Sequence, residues 1–199
     1  MRSLSWTEGT SNVGPDEPDS SWEAESYLMV AMVKSLASDG RPTLRFVWSH
    51  PAHVVSLSGG LGVSPWAPGT VGAAGAVLPA WLLLALPWPW LAVIFAATFC
   101  LGIWAADVTG RALGIDDPGC VVFDETWAMA LVFLAIPAHP VWWLAGFVAF
   151  RFFDIVKPQP IRAVQDNLSG GLGVMADDLA AAIAAIAAID LAVYAVGRF

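Results

Sequence analysis

The sequence predicts an all-α fold: a polytopic membrane helical bundle with short re-entrant or hairpin helices and a disordered N-terminal tail. Three observations carry that prediction. Hydrophobic residue types make up 57% of the 199 residues and charged types only 13%, against a usual apolar share of roughly 45–50% even with glycine counted. No Asp, Glu, Lys or Arg occurs from Phe46 to Ala106, from Thr126 to Phe150, or, Asp190 apart, from Leu179 to Gly197. These runs are punctuated at Pro87-Trp88-Pro89-Trp90 and at Pro137-Ala138-His139-Pro140-Val141-Trp142-Trp143, where paired prolines stop a helix and tryptophans favour the membrane–water interface.

Taken in order, residues 1–45 carry seven acids and four bases among Gly, Ser, Pro and Asp clusters, which reads as a disordered acidic tail. No basic stretch followed by an apolar segment and a small-residue cleavage site occurs there, so no secretory signal is read. Residues 46–199 form a single helical membrane domain. The run from Phe46 to Ala106 is 61 residues long, enough for more than two crossings at ~20 residues each, with helices expected at about 71–87 and 90–107. The run from Thr126 to Phe150 is either one kinked span or a hairpin with its tip at Pro137 to Pro140. A span puts the acidic loops 107–125 and 154–178 on opposite sides of the bilayer, and a hairpin puts them on the same side. Arms of ~12–14 residues reach only about 20 Å, short for a full crossing. Arg41, Arg45, Arg111, Arg151, Lys157 and Arg162 all belong on the cytoplasmic face by the positive-inside tendency, which favours the hairpin. The last run is a span whose Ala181 to Ala188 stretch offers a small-residue packing face. Asp190 lies roughly 18 Å along that helix from Asp178 and reads as solvent-facing or helix-paired.

Several functions are excluded. With 9 Lys+Arg against 17 Asp+Glu and a net charge of −8, the chain would repel a phosphate backbone, so no nucleic-acid partner is expected. Cys100 and Cys120 are too few for a disulfide framework and lack zinc-site spacing. No feature of the sequence reports the oligomeric state.

Nine of the ten acids beyond residue 45 fall in the two polar loops. Four segments there carry chemistry. Leu61 to Gly72 (LGVSPWAPGTVG) is a Gly/Pro turn in which Thr70 suits a helix N-cap, a place for an anionic phosphate. Asp116 to Glu125 (DDPGCVVFDE) ends in adjacent carboxylates where a helix starts. In Arg151 to Arg162 (RFFDIVKPQPIR), Arg151, Asp154 and Lys157 recur every third residue and would form one polar stripe on a helix. Gly170 to Asp178 (GGLGVMADD) is a glycine-rich turn delivering two more carboxylates to a helix N-terminus. Together they supply oxygen ligands for a hard cation and basic groups for a phosphate at one bilayer face, which points to magnesium-assisted chemistry on a phosphorylated membrane substrate.

The ordered set Pro-Gly-Thr-x-Gly (68–72), Asp-Glu (124–125), Phe-Arg-x-x-Asp-x-x-Lys-Pro-x-Pro-Ile (150–161) and Gly-Gly-x-Gly-Val-Met-x-Asp-Asp (170–178) resembles the phosphatidylglycerophosphatase A family over roughly residues 50–197. Ala73, Ala128, Ala182 and Gln165 depart from its usual residues. The resemblance implies an all-helical enzyme of the bacterial inner membrane that uses Mg2+ to hydrolyse phosphatidylglycerophosphate to phosphatidylglycerol and phosphate, with its active site facing the cytoplasm. In that light Asp124, Glu125, Asp154, Asp177 and Asp178 are the expected metal ligands. The catalytic set is Asp124, Glu125, Asp154 and Asp178, and the substrate-binding set is Thr70, Arg151 and Lys157. No Cys-x5-Arg or Asp-x-Asp-x-Thr nucleophile motif is present, and Lys34-x6-Arg41-Pro42 lacks the histidine motifs that would make it part of a lipid-phosphatase site. Direct attack by an activated water is therefore favoured over an aspartyl-phosphate. The competing readings are a transporter or channel with a carboxylate cation site, and a peripheral helical phosphohydrolase acting on another phosphomonoester.

Overall fold

The computed structural model describes residue 36 and residues 40–197; the tail reading for residues 1–35 and 37–39 lies outside the described residues. Among them all regular structure is helical: α1 (Leu44–Val47), α2 (Pro51–Ser56), a 3-10 segment (Ser58–Val63), α3 (Pro68–Gly75), α4 (Val77–Leu83), α5 (Trp88–Leu113), α6 (Phe123–Ala135), α7 (Pro140–Val156), α8 (Ile161–Asn167) and α9 (Gly170–Val196). Leu36 bridges to Pro42, and Phe46 and Val47 of α1 are buried. The helical part thus begins at Leu44, two residues before the boundary read at residue 46.

The long helices are α5, with 26 residues, and α9, with 27, each about 40 Å at 1.5 Å per residue and so long enough for a ~30 Å hydrocarbon layer. Only 22% of the most apolar stretch of either is buried inside the protein. A core helix of a water-soluble protein would be covered, and these are not, which is compatible with spans facing lipid. Both helices overrun the lengths expected from sequence. Pro89 sits in the first turn of α5, where the missing N–H costs nothing, so the proline pair starts this helix and does not interrupt it. The other end continues past Asp107 to Leu113 and closes on Gly114 (φ 68°), with Ile115 N–H donating to Gly110 O, a left-handed C-terminal turn that favours glycine. The Gly170–Gly173 stretch, expected as a turn, is the first turn of α9.

The run from 126 to 150 is a hairpin, not one kinked span. α6 has 13 residues and α7 has 17. The chain leaves helix at Ile136, before Pro137, and re-enters it at Pro140, where His139 Nδ1 accepts from Val141 N–H at 3.3 Å. Near the tip the Phe133 and Trp143 rings stack at 4.6 Å. At the other end Glu125 Oε1 lies 3.8 Å from Arg151 Nη1. The arms are therefore antiparallel, and the two acidic loops meet at one end.

α9 is the spine. It packs on α5, α6 and α7, and its Ala181, Ala182 and Ala185 are fully buried, as the small-residue face predicts. Asp190 is exposed, away from the other carboxylates. α2 is pinned to α5 by a buried network in which His53 Nδ1 and Ser56 Oγ lie 2.9 and 2.6 Å from Thr109 Oγ1, with Phe46 stacked on His53 at 4.2 Å.

α3 meets the start of α6 so closely that a Cβ on Gly72 would come within 2.7 Å of Val122 Cβ and 2.9 Å of its carbonyl oxygen. Because backbone atoms cannot step aside, Gly72→Ala is expected to destabilise by about 1–3 kcal/mol, read as a lowered midpoint of thermal unfolding in detergent; an unchanged midpoint would mean that α3 does not dock this tightly.

Candidate active site

One end of the bundle gathers residues from five elements. α6 begins with Asp124 and Glu125, which as acids in a first turn suit the positive helix end. The last two turns of α7 bring Arg151 and Asp154, and Lys157 closes that helix at φ 45° just before Pro158. Two turns into α9 stand Asp177 and Asp178. The first turn of α3 holds Gly69, where a Cβ would run into the Glu125 carboxylate and approach Arg151 Nη1 at 3.4 Å. From α5, Asp107 Oδ1 accepts the Gly171 N–H at 2.6 Å.

Within this group the acids divide. One ligand oxygen from each of Asp124, Glu125 and Asp178 falls within 4.8 Å of the others, and Asp124 and Asp178 are buried at 7% and 3% exposure. One oxygen on each, Asp124 Oδ1, Glu125 Oε2 and Asp178 Oδ2, is buried with no hydrogen-bond partner. Buried polar atoms are normally satisfied, so three clustered carboxylates that each keep an unpartnered buried oxygen could hold a cation. The other two expected ligands, Asp154 and Asp177, lie outside this cluster, each beside a basic partner. Asp154 Oδ2 is 2.6 Å from Arg151 Nη1 one helical turn away, and Asp177 Oδ2 accepts a hydrogen bond from Lys157 Nζ.

The electrostatics follow. Burial pushes the Asp124 carboxyl well above the usual carboxylate range, with the charges of Glu125 and Asp178 adding to it. Burial also raises Glu125; a hydrogen bond with the Asp124 carboxyl and the Arg151 charge oppose this, and the charge of Asp154 adds to it. For Lys157, burial alone would lower the ammonium pKa, but its bond to Asp177 and the surrounding carboxylates outweigh it and the value is raised. Burial pushes the Cys120 thiol up to about 11, so it is no thiolate nucleophile at neutral pH.

Thr70 is the one expected site residue whose local role differs. It does not cap a helix: the N-cap of α3 is Ala67, in a left-handed conformation at φ 42°, Pro68 follows it, and Thr70 lies inside the first turn. Proline at the first helical position pre-sets that start. Asp107 and Gly69 were not singled out in the sequence. The only sequence signal for Asp107 is that it ends the long charge-free run. Beside the Lys157–Asp177 pair, a cavity of about 180 Å³ is lined by Asp116, Asp117, Ser169 and Gly173.

The sequence model describing phosphatidylglycerophosphatase A matches residues 54–193, which include every residue named in the cluster. The chain belongs to the phosphatidylglycerophosphatase A family. It is 37% identical over 141 residues to phosphatidylglycerophosphatase A of Escherichia coli K12, covering 70% of this chain and 81% of that protein. It is 36% identical over 151 residues to the protein of the same name from Haemophilus influenzae, covering 75% and 93%. A Bacteroides thetaiotaomicron protein that carries the provisional name phosphatidylinositol-3-phosphatase is 39% identical over 148 residues, covering 69% and 91%. No solved structure matches the chain. Membership places the chain among phosphoric monoester hydrolases and sets aside the transporter or channel reading.

Without divalent cations the cluster is a source of repulsion and unmet hydrogen bonding. Asp124→Asn and Asp178→Asn are therefore expected to unfold at temperatures equal to or above wild type in chelator, by thermal denaturation; a clear loss of stability would show that these carboxylates are satisfied within the protein.

Proposed function

We propose that this chain removes the terminal phosphate of phosphatidylglycerophosphate at the cytoplasmic face of a bacterial inner membrane, with Mg2+ held by Asp124, Glu125 and Asp178. The observation that carries this reading is that Asp124, Glu125 and Asp178 bring one carboxylate oxygen each within 4.8 Å of the others and that each of these carboxylates has a buried oxygen without a hydrogen-bond partner. A hard divalent cation takes such oxygen ligands. Bound there, the ion would supply Lewis-acid polarisation of the phosphoryl oxygens and a lowered pKa for water.

The chain's own residues supply orientation and proton handling. Arg151 is held by Asp154 next to Glu125, and its buried Nε has no partner, so the guanidinium offers donors to the phosphomonoester in a fixed plane. Lys157 spends one of its three N–H donors on Asp177 and has two for the same group. Asp154 engages Arg151 through Oδ2; its other carboxylate oxygen takes the proton that the attacking water loses as the new P–O bond forms, and that proton passes to the lipid oxygen as its bond to phosphorus breaks. From α3, the absence of a side chain at Gly69 leaves room for the Glu125 carboxylate, and Thr70, the next residue, is the proposed hydroxyl partner of the phosphate. Integral placement is supported by the lipid-compatible surfaces of α5 and α9. The basic residues Arg111, Arg151, Lys157 and Arg162 near the site end support a cytoplasmic orientation for it.

Four outcomes test this. Phosphate release from phosphatidylglycerophosphate should stop with chelator and return with Mg2+, and Asp124→Asn, Asp154→Asn and Asp178→Asn should each lower kcat by roughly 100-fold or more; near-normal rates in all three would remove the site assignment. Mg2+ at about 100 times its Kd should stabilise wild type by ~2.7 kcal/mol and leave Asp124→Asn almost unmoved. Given the Bacteroides relative's name, a phosphatidylinositol 3-phosphate arm belongs in the same assay, and faster release from it would reassign the head group. Protein recovered in the supernatant after alkaline carbonate extraction would restore the peripheral reading.

A further inference from the structure

Asp107 is a carboxylate of the site end that the reaction scheme leaves unused. It stands on α5, 64 positions before the residue it binds, and its Oδ1 accepts the N–H of Gly171 in the first turn of α9. A helix N-terminus has four N–H groups without intrahelical partners, and the residue placed to satisfy one locally, Ser169 at the N-cap, makes no side-chain cap bond. The cap therefore comes from another helix. The fit around it is tight: a Cβ on Gly171 would run into the Ile103 carbonyl, one on Gly170 would come within 2.7 Å of Asp107 Oδ1, and one on Gly102 would lie 2.6 Å from Met175 Sδ. Ile103 and Asp107 are one turn apart on α5, so the first turn of α9 lies across that turn. Gly171, Met175 and Asp178 follow at spacings of four and three, which puts them on one face of α9. The bond at Gly171 thus fixes the height and rotation of the face that carries Asp178.

We propose that Asp107 is a positioning residue for the carboxylate cluster: by capping α9 from α5 it sets the place at which Asp178 meets Asp124 and Glu125. The inference rests on the cluster being the reaction centre. It differs from a purely stabilising cap, because a cap supplied from within α9 would stabilise the helix equally without tying it to α5.

The test compares Asp107→Ala, Asp107→Asn and the double variant Asp107→Ala/Ser169→Asp, measuring kcat and KM for phosphatidylglycerophosphate with Mg2+ and the midpoint of thermal unfolding. Asp107→Ala should lower kcat about tenfold with KM within twofold of wild type, and lower the midpoint. Asp107→Asn keeps an acceptor oxygen at the same place and should stay within twofold of wild type in kcat. The double variant should regain the midpoint and not kcat. Wild-type kcat in Asp107→Ala would overturn the proposal, and so would an Asp107→Asn as slow as Asp107→Ala, which would mean that the charge acts directly. Recovery of kcat in the double variant would overturn it as well, since any cap would then serve. A wild-type protein that releases no phosphate is a failure of the functional reading instead, and the three midpoints then decide whether Asp107 caps α9 at all.

Discussion

More negative charge is confined in one buried space than the protein's own cations balance, and the arrangement of the helix ends follows from that. Asp124, Glu125 and Asp178 lie with one oxygen each within 4.8 Å of the others and each keeps a buried oxygen without a hydrogen-bond partner, while Arg151 and Lys157 are paired with Asp154 and Asp177. Such a space costs stability, so it persists only where surrounding packing over-determines it. α3, α5, α7 and α9 supply that packing, each meeting a neighbour at a glycine or through an ion pair.

The glycines are the means. Gly69 stands against the Glu125 carboxylate, Gly72 against Val122 and Gly171 against the Ile103 backbone. None of these is a flexible hinge. Each lets two chains approach to a separation that any side chain would prevent, and together they convert motifs far apart in sequence into neighbours within a few ångströms.

Much of this was legible in the sequence because charge placement and helical period are local signals. The hairpin followed from arms too short to cross and from basic residues on both flanks, and the alanine face of α9 from its spacing. What escaped was governed by tertiary contact. Gly170 to Gly173 read as a turn because glycine usually ends a helix, whereas here α9 already runs through them and Gly171 serves close approach. The α5 helix passed through Asp107 and Arg111, which a hydropathy boundary treats as loop but a helix tolerates. The five acids were rightly assigned to one end of the bundle, yet their division into three clustered and two paired groups depends on side-chain directions across helices, which no spacing along the chain encodes. Thr70 was misplaced as a cap because the rarer left-handed Ala67 followed by proline started the helix three residues sooner.

Between Glu125 and Arg151 the α6–α7 hairpin holds no Asp, Glu, Lys or Arg, and its tip at 136–139 reads Ile-Pro-Ala-His. Biogenesis of this element thus moves no permanent charge through the hydrocarbon layer. The electrical potential, which acts with about 2.3 kcal/mol per elementary charge per 100 mV, has no fixed charge in this hairpin to pull on.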